Sequence, residues 1–238
     1  MFELLCYNYF MTELQQKLFL LADLKYKDFQ GALIPTVKEK RVIGVRTPVL
    51  RSIAKEWFRL GNFYDFFKEV PHEYFEEDQI HGFLIEQIKD FNECVNELKC
   101  FLPFVNNWAT CDQCTPKVFK KNCEKLLPIV SNWINLIPSE KNEYTIRFGI
   151  RMFMCFYLDE NFKPEYLQMI VKIKSDRYYI NMMIAWFFAT ALAKQWEETL
   201  PIVSDKMLLG DWVRKKTIQK ACESFRVSKE HKQILKKL

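Results

Sequence analysis

The stretch Tyr144-Thr145-Ile146-Arg147-Phe148-Gly149-Ile150-Arg151-Met152-Phe153 lines up with Tyr178-Tyr179-Ile180-Asn181-Met182-Met183-Ile184-Ala185-Trp186-Phe187 at a spacing of 34 residues. A looser third copy begins at Trp212-Val213-Arg214-Lys215. In each copy apolar residues recur at helical intervals, and a second short apolar run follows, over 163–172 and 196–207. The unit is therefore a helical hairpin, and such hairpins bury their apolar faces only against neighbouring copies. The expected class is all-α, and the expected architecture is an α-solenoid.

Helix signals also fill the first half. Thr47-Pro48 places a capping hydroxyl before a proline, and Leu50, Ile53, Ala54 and Trp57 then recur until Gly61 closes the turn. Helices are expected over 73–89 and 92–102 as well. Val42-Ile43-Gly44-Val45 is the one strand-like run, and it is too short to build a sheet. Only 6 glycines and 9 scattered prolines occur, which leaves no material for a linker or a glycine-rich phosphate loop. One domain over 1–238 is expected.

The 49% hydrophobic and 27% charged content excludes a disordered or collagen-like chain. The net charge of +5 permits a polyanionic partner without requiring one. Charged residues interrupt every apolar run well short of the ~18 to 20 residues of a membrane span. The start Met1-Phe2-Glu3-Leu4-Leu5-Cys6-Tyr7-Asn8 lacks the basic residues and cleavage site of a secretory leader. The eight cysteines are accordingly expected as thiols in a reducing, cytoplasmic compartment.

Four ordered segments carry a resemblance. Ile43-Gly44-Val45-Arg46-Thr47-Pro48-Val49-Leu50-Arg51 resembles the G-V-R-x-P-x-L-R entry of the bacterial DNA alkylation repair family, the HEAT-like-repeat alkylpurine glycosylases. Trp108-Ala109-Thr110-Cys111-Asp112 resembles that family's W-x-x-x-D segment, Arg147-Phe148-Gly149 its R-x-A/G helix, and Ala185-Trp186 its later tryptophan helix. The chain departs from the pattern at Ala109, where many members carry a second acidic residue, and at Ile146, where they often carry a second arginine. The resemblance implies HEAT-like antiparallel helix pairs whose concave face binds duplex DNA containing alkylated purines.

It further implies that Asp112 is the catalytic carboxylate, that Trp108 and Trp186 are aromatic walls, and that Arg147 holds the adjacent backbone, with Arg151 as the alternative. Arg46, Arg151, Arg214 and Lys215 are the expected DNA-binding cations. These residue types suit the chemistry. An N3- or N7-alkylated purine is already cationic and leaves without protonation. Positive charge then develops on the deoxyribose, where a carboxylate stabilises it and can orient the attacking water. An aromatic face adds about 0.5 to 2 kcal/mol per cation contact. Trp108 and Asp112 stand four apart and share a face if both lie on one helix.

Other signals are weaker. Cys111-x-x-Cys114 lacks a second pair and a nearby histidine, so no metal is expected, and the chemistry needs no cofactor. His72, His81 and His231 are dispersed and are expected in capping or surface roles. Glu76-Glu77-Asp78 is expected to decorate a first helical turn, and 228–238 to form a docked terminal helix. A monomeric alkylpurine DNA glycosylase is the reading. Its rivals are a non-excising DNA-binding member of the same fold and a HEAT-like protein scaffold.

Overall fold

The computed structural model describes residues 11–38, 41–61 and 63–238. The segment 1–8, on which the argument against a leader rests, lies outside them. The described residues contain fourteen α-helices and no strand. No helix among them is long and apolar enough to cross a membrane. The chain divides into two compact units, Met1–Lys117 and Val118–Leu238.

The first unit holds α1 (Glu13–Leu20), α2 (Leu24–Leu33), α3 (Thr47–Leu60), α4 (Tyr64–Lys68), α5 (Phe75–Ile85), α6 (Phe91–Phe101) and α7 (Trp108–Gln113). Side chains start several of them: Thr12 and Gln15 form a capping box on α1, and the Asp23 and Asp90 carboxylates accept from Tyr26 N–H and Glu93 N–H. The α3 cap falls one residue before the expected Thr47, on Arg46, without a side-chain bond. As expected, Gly61 ends α3 in the left-handed region, at φ 76°.

Helix α5 is the axis of this unit, because all eleven of its residues are buried, including Glu76, Glu77, Asp78, Gln79 and His81. It packs on α3 and on α7. The expectation that Glu76-Glu77-Asp78 would decorate a solvated turn is corrected: a buried carboxylate must be hydrogen-bonded, and each of these three is. Glu76 accepts from the backbone N–H groups of Ile43, Gly44 and Val45 at 3.0, 2.7 and 3.2 Å. Glu77 accepts from Tyr74 N–H and the Gln15 amide, and Asp78 from Arg41. The strand-like run 42–45 is thus an irregular segment whose donors at 43–45 are taken by a helix side chain instead of a sheet.

The second unit holds α8 (Cys123–Ile134), α9 (Glu143–Phe156), α10 (Pro164–Val171), α11 (Tyr178–Lys194), α12 (Trp196–Ser204), α13 (Asp211–Glu223) and α14 (Lys229–Leu235). Helix α9 packs on α8 and on α11, and α11 packs on α13. The sequence period is visible in the contacts. Arg177 pairs with Glu143, Tyr157 Oη donates to Cys123 O, and Lys174 Nζ donates to Leu208 O, each across 34 residues. The Tyr178 and Trp212 rings, at corresponding positions of two copies, meet edge to face at 5.6 Å. The terminal helix expected within 228–238 is α14, capped by the Ser228 hydroxyl.

Gly149 shows how closely α9 sits on α8. A Cβ there would lie 2.8 Å from Ile134 Cγ2 and 3.2 Å from Trp133 Cβ, so any side chain would force the two helices apart.

Candidate functional site

In the first unit the candidate residues sit on α7, a helix of only six residues. So short a helix is not stable by itself, and buried side chains hold both its ends. At the N-terminus the fully buried Asn107 accepts from Thr110 N–H at 2.8 Å, and its amide donates to Thr110 Oγ1. Gln79 of α5 donates to the same hydroxyl at 3.1 Å. Beyond the last turn, Arg51 of α3 donates to Gln113 O at 3.1 Å and pairs with Glu86 at 2.6 Å. The other Glu86 oxygen accepts from Thr115 N–H at 2.7 Å. The guanidinium of Arg51 also covers the Phe83 ring at 3.9 Å.

Between these clamps, Ala109, Thr110 and Cys111 are buried, while Trp108 and Asp112 are half-buried on the opposite side. Trp108 packs against the cluster of Ile34, Val37, Val42, Phe75 and Ala109, and its indole N–H donates to Leu33 O at 2.8 Å. One part of the indole therefore anchors the helix and the remainder faces outward. Ala109 lies wholly within that cluster, which is the physical reason no carboxylate can stand there. Cys111 and Cys114 are both buried, and no group of three or more His, Cys, Asp or Glu with metal-binding geometry occurs among the described residues.

In the second unit Arg147 is 2% exposed and lies in the interior. Its Nη1 donates to Tyr179 O at 2.6 Å, and its guanidinium lies 6.0 Å from the Tyr179 ring centre and 5.7 Å from that of Trp186. The neighbouring Glu143 carboxylate accepts from Arg177 at 2.8 Å and from Tyr179 N–H at 3.3 Å, fixing the start of α11 from the other side. Trp186 is half-buried, and Arg151 is half-buried one turn beyond Arg147. The structure thus brings Arg147 and Trp186 together within the second unit, and Trp108 and Asp112 together within the first.

A model of the DNA alkylation repair enzyme family matches residues 14–199. The chain belongs to that family. Comparison with curated proteins and with solved structures gave no match.

Within this member of the alkylation repair family, the remaining candidate cations divide sharply. Arg46 is exposed, and it pairs with Asp23 at 2.7 Å and lies 5.0 Å from the Tyr26 ring centre. The hydrogen bond from Arg46 is the main reason the Asp23 carboxyl is held below its ordinary value. Lys215 is exposed beside Asp211 at 2.7 Å. Arg214, expected on a DNA-facing surface, is corrected: it is 5% exposed, and its Nε and Nη2 donate to Val203 O and Leu238 O. It ties α13 to the chain end, and a buried guanidinium with carbonyl acceptors is not placed to meet phosphate.

For two of the three histidines, His72 and His81, the expected capping or surface role is corrected. His72 and His81 are buried, with His72 Nε2 2.8 Å from His81 Nδ1 and His81 Nε2 3.2 Å from Glu97 Oε1. With both rings neutral and the Glu97 carboxylate accepting from His81 Nε2–H, His81 Nδ1 accepts from His72 Nε2–H. Burial pushes both down to about 3. His81 is stacked between Phe67 and Phe101, at ring-centre distances of 4.5 and 4.0 Å. His231 stacks on Trp196 at 3.6 Å. None of these partners lies close enough in sequence to be read from local spacing.

Proposed function

We propose that the protein hydrolyses the N-glycosidic bond of cationic N3- or N7-alkylated purines in duplex DNA, leaving an abasic site. Family membership supports repair of alkylation damage, and the observation that carries the finer reading is the clamped α7. A carboxylate stabilises a developing cation best when it does not have to reorganise, and Asp112 projects from a helix whose two ends are held by Asn107, Gln79, Arg51 and Glu86. As the bond breaks, its electron pair leaves with the base and cancels the base's charge. The sugar becomes oxocarbenium-like, Asp112 stabilises it, water adds at C1′, and the water's proton passes to the carboxylate or to solvent.

Trp108 is the aromatic wall beside Asp112, and in the second unit Trp186 offers an aromatic face whose orientation the fixed, buried guanidinium of Arg147 sets. The helix pairs are read as HEAT-like repeats of an α-solenoid. That reading is supported in the second unit by the succession of α9, α11 and α13 and by the contacts that recur across 34 residues. The test is release of free 7-methylguanine from methylated duplex DNA. Salt-sensitive binding of that DNA without release of base would replace the enzyme with a non-excising damage-binding protein.

A further inference from the structure

Beside Trp186, wholly within the second unit, is a pocket lined by Met154, Trp186, Thr190, Lys220, Ser224 and Arg226. Its lining sets apolar Met154, Trp186 and Ala189 beside two cations and two hydroxyls. Lys220 comes from the last turn of α13, and Ser224 and Arg226 from the segment that follows. The Ser224 hydroxyl accepts from Arg226 N–H at 3.2 Å, which leaves its O–H able to donate. The Thr190 hydroxyl makes only a weak bond to Met154 Sδ at 3.5 Å, which an oxygen ligand would displace. Arg226 has no ion-pair partner among the described residues. Lys220 is held by Glu223 at 2.9 Å, and Glu223 also accepts from the Gln219 amide. The Lys220 bond holds the Glu223 carboxyl below its ordinary value, so it is an anion at neutral pH.

We propose that this pocket binds one backbone phosphate of the DNA strand, with Lys220 and Arg226 as charged donors, Ser224 and Thr190 as hydroxyl donors, and Trp186 as the inner wall. Four donors from three places in the chain converge on one small space, as a tetrahedral oxyanion requires. In the free protein Glu223 occupies Lys220; on binding, Lys220 exchanges that carboxylate for the phosphate. The phosphate would be fixed against the same indole that Arg147 orients, which makes Lys220 and Arg226 positioning residues for the strand. The inference rests on the reading that duplex DNA is the substrate, and it assigns residues that reading does not.

The test uses the full chain and a fluorescent duplex carrying a tetrahydrofuran abasic-site analogue, titrated across a range of KCl concentrations. Lys220→Gln and Arg226→Gln should each weaken binding and lower the slope of log affinity against log salt, by about 0.9 when combined, the loss of the one phosphate contact they share. Glu223→Gln removes the competitor and should tighten binding. Release of 7-methylguanine is followed in parallel. Wild-type slopes in both cation variants, with base release by the wild-type protein intact, overturn the phosphate pocket alone. Reduced slopes in the variants, with no base release by the wild-type protein, uphold the pocket and overturn the excision chemistry. All three side chains lie at the surface, so thermal melts should coincide and any binding change is not a folding defect.

Discussion

Arg147 illustrates what a single buried charge does here. Its guanidinium is nearly sealed from water, donates to Tyr179 O, and faces two aromatic rings. Arg147→Ala should cost about 1 to 3 kcal/mol, because Tyr179 O loses its charged donor, and urea unfolding would measure it. Arg147→Lys keeps the charge but loses the planar fork that meets a carbonyl and a ring together, so it too should unfold at lower urea than wild type. The interior setting of Arg147 was partly legible, since Ile146, Phe148 and Ile150 surround it in sequence. That of Arg214 was not: its acceptors are carbonyls 11 and 24 residues away, and a carbonyl acceptor leaves no trace in residue type.

At the scale of elements, α5 organises the first unit through polar contacts that its sequence conceals. Glu76→Gln should destabilise by about 1 to 3 kcal/mol, because an amide offers one acceptor oxygen to three N–H donors and turns an N–H₂ group toward them. Gly44→Ala should fail more severely. Gly44 has φ 103°, and a Cβ would lie 2.6 Å from Asp23 O and 2.7 Å from Lys27 Cβ. Chemical denaturation of both variants checks these. The sequence presented Glu76-Glu77-Asp78 as an ordinary acidic first turn, and the donors that bury Glu76 stand 31 to 33 residues upstream.

The His72–His81 pair gives α5 a pH signature. Both rings are neutral when folded and titrate at about 3, whereas in the unfolded chain they bind protons below about pH 6.5. The unfolded state therefore takes up more protons between about pH 6.5 and 3, and stability falls as pH drops through that window, by up to about 2.7 kcal/mol per pH unit for two groups. Burial moves Asp78 the other way, up to about 8, which favours the folded state as pH falls below that value. The comparison that isolates the histidines is His72→Leu/His81→Leu against wild type. Urea midpoints from pH 7 to pH 4.5 should drop more steeply for wild type than for the double variant, and parallel curves would contradict the assignment.

For the molecule as a whole, the repeat of 34 residues was the most legible feature. It predicted helix pairs, and it reappears as physical contact in Glu143–Arg177, Cys123–Tyr157 and Tyr178–Trp212. The W-x-x-x-D spacing likewise put Trp108 and Asp112 on one face of one helix. The clamps were not legible, because Asn107, Gln79, Arg51 and Glu86 converge on α7 from separate elements. The proposed function rests on those clamps keeping one carboxylate still while charge appears on a sugar. The most direct measurement is single-turnover release of 7-methylguanine from duplex DNA by the wild-type protein and by Asp112→Asn. Asp112 is half-exposed, so the variant should melt with wild-type protein, bind the duplex, and release base slower by about 10²- to 10³-fold, the usual loss for one preorganised electrostatic group. Equal release rates for the two proteins would contradict the account.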